Sequence, residues 1–464
     1  MTRSAARLRW IFALACAFVV FSPLLRAEFL VVTFDDDAFV LENPSIRELD
    51  WDSVRSWFGR SYHADYVPVT LASFALDHAL WGLEPRGYHL TNILLHLCVG
   101  TLVYLLVFLS TRRAEVALLA GTVFLLHPLQ LEAVAIVSQR KTLLATAFAL
   151  LSCLAFRRSL VERPAVWRAI SLALFLLGLL AKPSVLPLPL LFFLLDPFFP
   201  RASTLREKLP FFLVAISVLL VQLSVKAGSP VVKEPHGGSA LATLLLMGRV
   251  WLEYLLAMVL PLDLAPAYYY RPSLAYSAWH AAALVVVAAL HALAWTLRRR
   301  FWLPCFALFW FTISMLPVSN VVPIAVVRAD RYVYFAMVGF AWAAGEVLGR
   351  PGPLRRSLRP GVVFYALLVL LGAWTGSRTS VWRSDVTAWE RVVERHPWNA
   401  RARFLLGRAY FSRGEVGEAL RAWRKASLLD PTFDAPRREL LRVARGDTTP
   451  GARGRSSHRG SSER

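Results

Sequence analysis

Long apolar runs that end at clusters of arginine constrain this chain more than any other feature of its sequence. The chain has 464 residues, of which 56% are hydrophobic, and its mean hydropathy is +0.49. Because a helix needs about 20 apolar residues to cross a bilayer, such runs predict an all-α polytopic membrane protein. The arginines lie in short loops between the runs, as the positive-inside rule expects, so the net charge of +21 does not indicate nucleic-acid binding.

The N-terminal segment has a basic start and an apolar body, which is the pattern of a signal peptide or of a first membrane span. We favour an uncleaved span, because many apolar runs follow and no small-residue cleavage pattern precedes Glu28. All four cysteines lie inside apolar runs, without metal-type spacing: Cys16, Cys98, Cys153 and Cys305. The sequence therefore indicates neither a disulfide framework nor a zinc site.

Apolar length and arginine position together predict about eleven spans and a cytoplasmic N-terminus. The predicted spans are 10–31, 89–110, 115–128, 142–156, 166–181, 184–199, 209–225, 279–297, 301–318, 332–348 and 362–376. The segment 240–261 is also apolar enough to cross, but a crossing there would put three consecutive arginines outside. We therefore predict an interfacial or re-entrant helix at 240–261. The first external loop, 33–88, and the C-terminal part then share the outer side.

The composition changes after residue 381, where charged amphipathic helices replace the apolar runs. We predict a polytopic membrane domain over 1–381, a helical segment over 382–445 and a disordered tail over 446–464. Small residues and a proline in the helical segment fit the tetratricopeptide pattern, in which paired helices cross closely: Gly407, Ala409, Gly414, Ala419, Ala426 and Pro431. Because so short an array has few neighbours to cover its face, it either forms a capping hairpin or docks on a partner.

Three consecutive carboxylates, Asp35, Asp36 and Asp37, begin the first external loop beside a predicted span. Charge beside a bilayer is costly and marks candidate functional residues. Close carboxylates raise one pKa of the pair, which suits a general base for an acceptor hydroxyl, and such a pair can also hold Mg²⁺ or Mn²⁺. We assign Asp35 and Asp36 as catalytic candidates and leave the cation open. The alternative is a solvated acidic turn at the end of a span.

Polar side chains recur at helical spacing at the start of the second predicted span, at His89, Asn92 and His96. A polar stripe within a span faces the bundle interior rather than lipid. Because two histidines lack an evident third ligand, the stripe favours packing or hydrogen bonding to a substrate over a metal site.

Basic residues appear in three turns that the predicted topology puts on the outer side, against the positive-inside rule. They are Arg140 and Lys141 in the first turn, beside His127 and Glu132; Lys182 in the second; and Arg328 and Arg331 in the third, beside Asp330 and Tyr332. Each alone is explained by a local ion pair, but three such turns favour a bound phosphate. A lipid-linked phosphosugar fits, since its phosphate needs cations, its tail an apolar groove and its acceptor hydroxyl a base.

Several stretches match a known family, and the tetratricopeptide-like segment follows them: FDDDAFVLENPSI, PVTLASFALDHALWGLEPRGYHLTNILLH, HPLQLEAVAIVSQRKTLLA and DRYVYFAMVGF. They resemble the TMTC-type (transmembrane and tetratricopeptide-repeat) glycosyltransferases of the GT-C superfamily, relatives of the protein O-mannosyltransferases. The resemblance covers most of residues 30–430. It implies an inverting transfer of sugar from a polyprenyl phosphate to a protein hydroxyl outside the membrane, with catalytic acidic residues matched here by Asp35 and Asp36.

Two positions depart from the usual pattern of that family. Val67 precedes Pro68 where the family usually has arginine, and Thr142 follows the SQRK sequence where the family often has aspartate. The departures add an inactive or respecialised member as the alternative to an active transferase.

The combined prediction is a bacterial inner-membrane glycosyltransferase that moves a hexose such as mannose to a protein Ser or Thr hydroxyl or an envelope glycan. Asp36, assisted by Asp35, is predicted to act as base or to orient the acceptor. The predicted phosphate ligands are Arg140, Lys141, Lys182, Arg328 and Arg331, and the predicted sugar and acceptor pocket consists of His89, Asn92, His127, Glu132 and Tyr332. Expected partners are the lipid-linked donor, the acceptor, membrane lipid and a protein bound through the repeat. Alternatives are a membrane-anchored tetratricopeptide scaffold and, without matching halves to support it, a lipid-linked-substrate transporter.

Overall fold

The computed structural model describes residues 3–62, 65–227, 235–270, 277–300, 302–349 and 361–446. Within these ranges extended pairing is confined to one bridge between Tyr62 and Asp65, so the predicted all-α fold class is confirmed. The chain divides into two units, Met1–Arg383 and Ser384–Arg464. The predicted disordered tail, 446–464, lies outside the described residues except for Gly446.

Fifteen α-helices are described in the first unit. The first ten are α1 (Arg3–Phe21), α2 (Trp51–Gly59), α3 (Pro68–Trp81), α4 (Pro85–Thr111), α5 (Ala114–Leu126), α6 (Leu131–Ala135), α7 (Arg140–Ser159), α8 (Pro164–Ala181), α9 (Leu188–Leu195) and α10 (Leu205–Ala227). The other five are α11 (Ala240–Val259), α12 (Ala278–Thr296), α13 (Trp302–Met315), α14 (Met337–Gly349) and α15 (Val362–Arg378). Short 3₁₀ and π turns join many of these helices.

Among the described residues, eight helices are long and apolar enough to cross a membrane, and the bent pair α5–α6 makes a ninth candidate. The eight are α1, α4, α7, α8, α10, α11, α12 and α15. Shorter apolar helical segments accompany them at Pro183–Phe198, Trp302–Val318 and Met337–Gly349. Each predicted span overlaps one of these helices. The chain is therefore a multi-pass membrane protein.

The helix α11 bears on the predicted number of spans. It occupies the segment that we predicted as interfacial or re-entrant, yet its 20 residues meet the same criterion of length and composition as the other candidates. The count of eleven spans and the non-crossing state of 240–261 therefore stay predictions.

A bend after α5 shapes the region of interest. His127 is extended, with φ −71° and ψ 131°, and Pro128 follows it. Because proline lacks an N–H and disfavours helix at the preceding residue, α5 cannot continue straight. The axis turns by 53° into α6, so the span predicted over 115–128 ends at this bend. The turn between α6 and α7 is then buried within the unit.

The helix α14 packs against α5 at backbone contact distance. A Cβ on Gly345 would lie 2.6 Å from the carbonyl oxygen of Val116 and 2.8 Å from the Cβ of Ala120, so only glycine fits. The turn before α14 contacts α6 as well, because the backbone N–H of Arg331 donates to Glu132 at 3.0 Å.

The second unit contains α16 (Asp385–Arg395), α17 (Ala400–Ser412), α18 (Val416–Leu429) and α19 (Asp434–Ala444) among its described residues. Side chains of Ser384 and Asn399 cap the first two helices. A Cβ on Gly407 would lie 2.4 Å from the ring of Trp423, so the glycine lets α17 and α18 cross closely. The assignment of this unit to tetratricopeptide repeats, and its boundaries, stay predictions.

Candidate functional site

The carboxylate of Asp36 is buried and accepts backbone N–H groups. Its Oδ1 accepts from Ser138 at 2.7 Å, and its Oδ2 accepts from Leu30 at 3.0 Å and from Val137 at 3.3 Å. These residues lie on both sides of the site, one before the Asp motif and two in the turn that leads into α7. Asp36 therefore ties the first loop to that turn, which is the behaviour of a positioning residue rather than of an exposed base.

Asp35 differs from its neighbour in exposure and backbone conformation. Its side chain is exposed, and its φ of 68° lies in the left-handed region. A residue other than glycine adopts this region at a cost, although aspartate tolerates it better than most. The charge of Asp35 also raises the pKa of Arg331, so the exposed carboxylate and that arginine are within electrostatic reach of each other. Asp35 is therefore the exposed carboxylate of the pair and Asp36 the buried one, while the catalytic roles of both stay predictions.

The third carboxylate of the motif had no predicted role. Asp37 is buried, and its Oδ1 accepts the N–H of Ala38 at 2.7 Å at the start of the short helical turn that follows. It therefore helps to fix the loop that presents Asp35.

Lys182 lies between α8 and the short helical turn after it, beside a recess. Its Nζ donates to Thr142 Oγ1 at 2.7 Å and to Gln139 Oε1 at 3.3 Å. Within the described part of the chain, Lys182 forms no ion pair with a carboxylate. Burial, followed by the charges of Lys141 and Arg331, holds the pKa of Lys182 well below the ordinary lysine value. An anion in this place would relieve the penalty.

The recess encloses about 340 Å³, part of which is open to solvent. Polar and cationic groups line it together with a few apolar side chains: Thr142, Lys182, Ser184, Ser314, Pro317, Val318, Arg331, Tyr332 and Phe335. We call it the Lys182 recess. Its polar lining offers hydrogen-bond donors around a lysine that forms no direct ion pair within the described residues.

Arg331 contributes the second cation of the Lys182 recess. Its guanidinium pairs with the buried carboxylate of Glu132, which also accepts its backbone N–H. Burial alone would lower the pKa of Arg331, but Glu132 and Tyr332 raise it above its ordinary value. The hydroxyl of Tyr332 donates to the carbonyl oxygen of Val326 at 3.3 Å, and its ring lines the recess.

Lys141 is near this group but is neutralised. Its Nζ lies 3.0 Å from a carboxylate oxygen of Asp65 and 4.7 Å from the centre of the Phe39 ring. The charges of Lys141 and Asp65 both act on Lys182, which puts the pair within electrostatic reach of the recess. Lys141 is therefore a neighbour of the candidate phosphate site rather than its free cation.

Arg140 does not join the predicted phosphate site. It is fully buried, pairs with Asp77 at 2.5 Å, donates to Asn92 Oδ1 at 2.9 Å and lies 4.8 Å from the centre of the Phe74 ring. The amide of Asn92 in turn donates to the carbonyl oxygen of Ile136 at 3.2 Å. The structure places Arg140 and Asn92 in the packing of α3, α4 and α7, and their assignments to phosphate and to the pocket stay predictions.

Arg328 is also separated from the Lys182 recess. Its guanidinium pairs with Glu253 of α11 at 2.6 Å and lies 3.9 Å from the centre of the Tyr268 ring. The hydroxyl of Tyr254 both donates to the carbonyl oxygen and accepts from the N–H of Ala329, each at 2.9 Å. Arg328 thus holds the turn that carries Arg331, and its contact with phosphate stays a prediction.

The predicted histidines belong to the packed interior. His127 contacts the carbonyl oxygen of Met258 at 3.0 Å through Nε2 and accepts the N–H of Leu129 through Nδ1. His96 contacts the hydroxyl of Tyr334 at 2.8 Å and the carbonyl oxygen of Leu125 at 2.9 Å. His89 is fully buried and does not line the Lys182 recess. Tyr332 lines the Lys182 recess and Glu132 pairs with Arg331 beside it, and the pocket roles of these two residues and of His89 and His127 stay predictions.

The fit of a divalent cation can be judged from the carboxylates. Asp36 already accepts backbone N–H groups on both oxygens, so the pair offers one exposed carboxylate. No cluster of three or more His, Cys, Asp or Glu side chains suited to a metal occurs among the described residues. Mg²⁺ and Mn²⁺ prefer several oxygen ligands, and this pair does not by itself supply them.

The sequence did not reveal the roles of Gln139, Asp65 and Thr142 at this site. Gln139 and Thr142 hold the ammonium of Lys182, and Asp65 neutralises Lys141. The departure from the family pattern at Thr142 was the available signal, because a neutral side chain at that position removes a carboxylate from a basic turn.

The chain is similar to protein O-mannosyl-transferases. Tmtc1 of Drosophila melanogaster is 31% identical over 205 residues, which cover 42% of this chain and 23% of that protein. A protein O-mannosyl-transferase of Caenorhabditis elegans is 24% identical over 432 residues, which cover 86% of this chain and 60% of that protein. The matches span less than two thirds of either relative. The predicted resemblance to the TMTC-type proteins is confirmed, while no family model matches.

Among solved structures, the chain is similar to ArnT from Cupriavidus metallidurans bound to undecaprenyl phosphate. The TM-score is 0.40 at 14% sequence identity, and the match covers 96% of this chain and 79% of that one.

Proposed function

We propose that the chain is a GT-C type membrane glycosyltransferase. It moves a hexose such as mannose from a polyprenyl phosphate to a hydroxyl of a protein Ser or Thr or of an envelope glycan. The observation that carries the proposal is the partly buried Lys182, which forms no ion pair within the described part of the chain and lines a polar recess together with Arg331, the residue on which the charge of the exposed Asp35 acts. The similarity to protein O-mannosyl-transferases supports an enzyme of this type.

The donor phosphate binds in the Lys182 recess. Lys182 supplies a cation that is held by neutral oxygens, and Arg331 supplies a second that is fixed by Glu132. A buried cation binds an anion more strongly than a solvated cation does, because water does not screen the pair. The polyprenyl tail lies among the apolar helices, and the sugar contacts Tyr332 and the hydroxyls of Ser184 and Ser314 at the recess.

Asp35 acts as the general base of the transfer. The acceptor hydroxyl gives its proton to the Asp35 carboxylate while its oxygen forms a bond to the anomeric carbon of the sugar. The bond from that carbon to the phosphate oxygen breaks, and polyprenyl phosphate leaves with its negative charge stabilised by Lys182 and Arg331. Asp36 does not exchange protons in this scheme. It holds the loop and the turn before α7 in place through its three N–H contacts.

The proposed setting is the inner membrane of a bacterium, with the site on the periplasmic side. The basic turns at Lys182 and Arg331 would then lie outside, where the positive-inside rule disfavours cations unless an anion is bound. A divalent cation stays a further proposal for this site, with Asp35 as its exposed ligand.

A membrane-anchored scaffold is the second candidate. The separate helical unit Ser384–Arg464 favours it, since such a unit can bind a protein without any chemistry in the membrane part. The two candidates differ in what restores function: a scaffold works through the second unit alone, displayed outside the membrane, whereas a transferase requires the first unit.

Mass spectrometry of periplasmic proteins and envelope glycans, with and without the gene, tests the proposal. We expect a hexose on Ser, Thr or a glycan to disappear with the gene. The full chain should restore the hexose and its Lys182→Met variant should not. Restoration by the second unit alone would favour the scaffold and overturn the transferase.

A further inference from the structure

Two apolar segments that frame the Lys182 recess are shorter than a membrane span. Pro183–Phe198 begins at the recess, which Ser184 lines, and Trp302–Val318 ends there, where Pro317 and Val318 line it. At about 1.5 Å per residue, segments of this length reach about 24 to 26 Å, whereas the hydrocarbon core of a bilayer is about 30 Å thick. A tilt of either segment shortens its reach further. Neither segment is therefore long enough to cross an average bilayer.

The far ends of both segments have the residues of a membrane interface. Phe198 and Trp302 pack together there, with ring centres 5.1 Å apart, and the side chain of Trp302 is exposed. Exposed arginines lie just beyond these ends in the chain, at Arg201 and Arg298. Tryptophan and arginine anchor spans at the level of the headgroups. The two segments therefore meet the same interface with these ends, and the recess lies at their other ends.

Two longer helices give a similar depth for the Lys182 recess. Lys182 directly follows α8 and lies about 21 Å along that helix from Arg168, whose guanidinium pairs with Glu207 at 2.7 Å. Thr142 of α7 lies about 22 Å along its helix from Arg157. All four elements thus put the recess about 20–25 Å from the arginines, which is about 5–10 Å short of the far surface of an average hydrocarbon core.

The two short segments also expose apolar side chains along their length, at Leu190, Phe193 and Leu316. In a membrane protein such side chains contact lipid. A phosphate bound at the recess of an average bilayer would lie below the headgroups on its own side, at a depth where charge is costly. Short spans draw the headgroups toward their ends and thin the bilayer locally, and thinning along this face removes that cost.

We propose that Pro183–Phe198 and Trp302–Val318 form a lipid-contacting surface that seats a locally thinned bilayer, so that occupation of the Lys182 recess by a lipid phosphate depends on membrane thickness. The partner of this surface is the bilayer itself. The inference rests on the proposed transferase function, because the polyprenyl phosphate donor is the ligand that has to reach the recess. It adds a physical condition on donor binding: the headgroups of the surrounding lipid have to lie at the level of Lys182.

Purified full-length protein in vesicles of increasing thickness tests the inference. Dimyristoleoyl, dioleoyl and dierucoyl phosphatidylcholine supply thin, average and thick bilayers with one headgroup. Binding of labelled undecaprenyl phosphate is measured in each at the same ratio of ligand to lipid, and inorganic phosphate, which has no hydrocarbon chain, is the competitor. Leu316→Arg puts a cation at the exposed end of the second segment without changing a residue that lines the recess. Leu428→Arg, at an exposed leucine of the second unit, is the matched control.

We expect the wild type to bind undecaprenyl phosphate at least about fivefold more tightly in the thinnest bilayer than in the thickest, because each ångström of mismatch adds to the cost of binding. Inorganic phosphate should compete with the same trend. In Leu316→Arg the guanidinium draws headgroups and water toward the recess, so the difference between bilayers should fall below about twofold. Leu428→Arg should behave as the wild type. If Leu316→Arg does not fold, the wild-type series still decides.

Three results would overturn the thinned-bilayer surface while the transferase stands. One is equal affinity of the wild type for undecaprenyl phosphate in all three bilayers. Another is a trend that inorganic phosphate does not share, since it would arise from the hydrocarbon chain of the ligand. The third is a folded Leu316→Arg variant that keeps the full difference between bilayers, as the Leu428→Arg control does. Absence of undecaprenyl phosphate binding in every bilayer and in detergent would instead overturn the proposed function itself.

Discussion

The ammonium of Lys182 lies 2.7 Å from the hydroxyl of Thr142, so a neutral oxygen stands where a carboxylate would neutralise the cation. Of the five predicted phosphate ligands, the other four each pair with a carboxylate: Arg140 with Asp77, Lys141 with Asp65, Arg328 with Glu253 and Arg331 with Glu132. The charge available to a donor phosphate is therefore concentrated on one residue.

Lys182→Met should weaken the binding of undecaprenyl phosphate. A hydrogen bond to a charged group contributes about 1.5–3 kcal/mol, which corresponds to a loss of about 10- to 150-fold in affinity. Titration of the purified chain with undecaprenyl phosphate measures the loss. Lys425→Met, at an exposed lysine of the second unit, is the matched control and should bind as the wild type. Equal affinity for the Lys182 and Lys425 variants would remove Lys182 from the site.

Binding of the donor phosphate should depend on pH through Lys182. Its pKa lies below the ordinary lysine value of 10.5, so the charge is lost at a lower pH than in a solvated lysine. Affinity should fall as the pH rises through this lowered pKa. In Lys182→Arg the guanidinium stays charged. The decrease in affinity with rising pH should therefore disappear, even if the affinity itself is lower than that of the wild type. The same decline in both proteins would show that another group titrates.

Asp36→Asn should destabilise the protein more than Asp35→Asn. The Asp36 carboxylate accepts three buried N–H groups, and an amide turns one accepting oxygen into a donor that faces them. We expect a cost of about 2–4 kcal/mol for Asp36→Asn and less than about 0.5 kcal/mol for the exposed Asp35. Thermal unfolding in detergent compares the two. An equal change of unfolding temperature in both variants would mean that the buried contacts of Asp36 do not stabilise the fold.

The stability of the first unit should depend on Asp330. Its pKa is raised from 3.8 to about 7 in the folded state, so the folded protein binds more protons than the unfolded protein between these values. Stability contributed by this group therefore falls as the pH rises through that window. The side chain introduced by Asp330→Asn does not titrate. The free energy of unfolding of this variant, relative to that of the wild type, should therefore rise by up to about 4 kcal/mol from about pH 4 to pH 8. If the difference in unfolding temperature between variant and wild type were the same at both pH values, the raised pKa of Asp330 would be contradicted.

Apolar length was a sound guide to the helices. The spans predicted at 142–156 and 362–376 lie inside Arg140–Ser159 and Val362–Arg378, because a long apolar run has few other stable arrangements in lipid. The segment 115–128 is apolar as well, but His127 and Pro128 bend the helix there by 53°. Hydropathy reports how apolar a segment is and not whether its backbone is straight.

The site was only partly predictable, because charge is local in sequence but pairing is not. Lys141 and Asp65 are 76 residues apart, and Arg331 and Glu132 are 199 apart. Nothing near Arg140 in the sequence reveals that Asp77 neutralises it. The carboxylates of Asp35 and Asp36 look equivalent in sequence as well. Their difference arises from the N–H groups of Val137 and Ser138, which the fold brings to Asp36 alone.

Sugar transfer by Asp35→Asn tests most directly whether the exposed carboxylate takes the acceptor proton beside a donor held by Lys182. Purified wild type and variant are loaded with labelled undecaprenyl-phosphate mannose, and transfer to acceptor is followed in a single turnover. Loss of a general base should slow transfer by about 10²- to 10⁴-fold while binding of undecaprenyl phosphate is unchanged. Transfer at the wild-type rate by Asp35→Asn, with donor bound, would contradict the assignment.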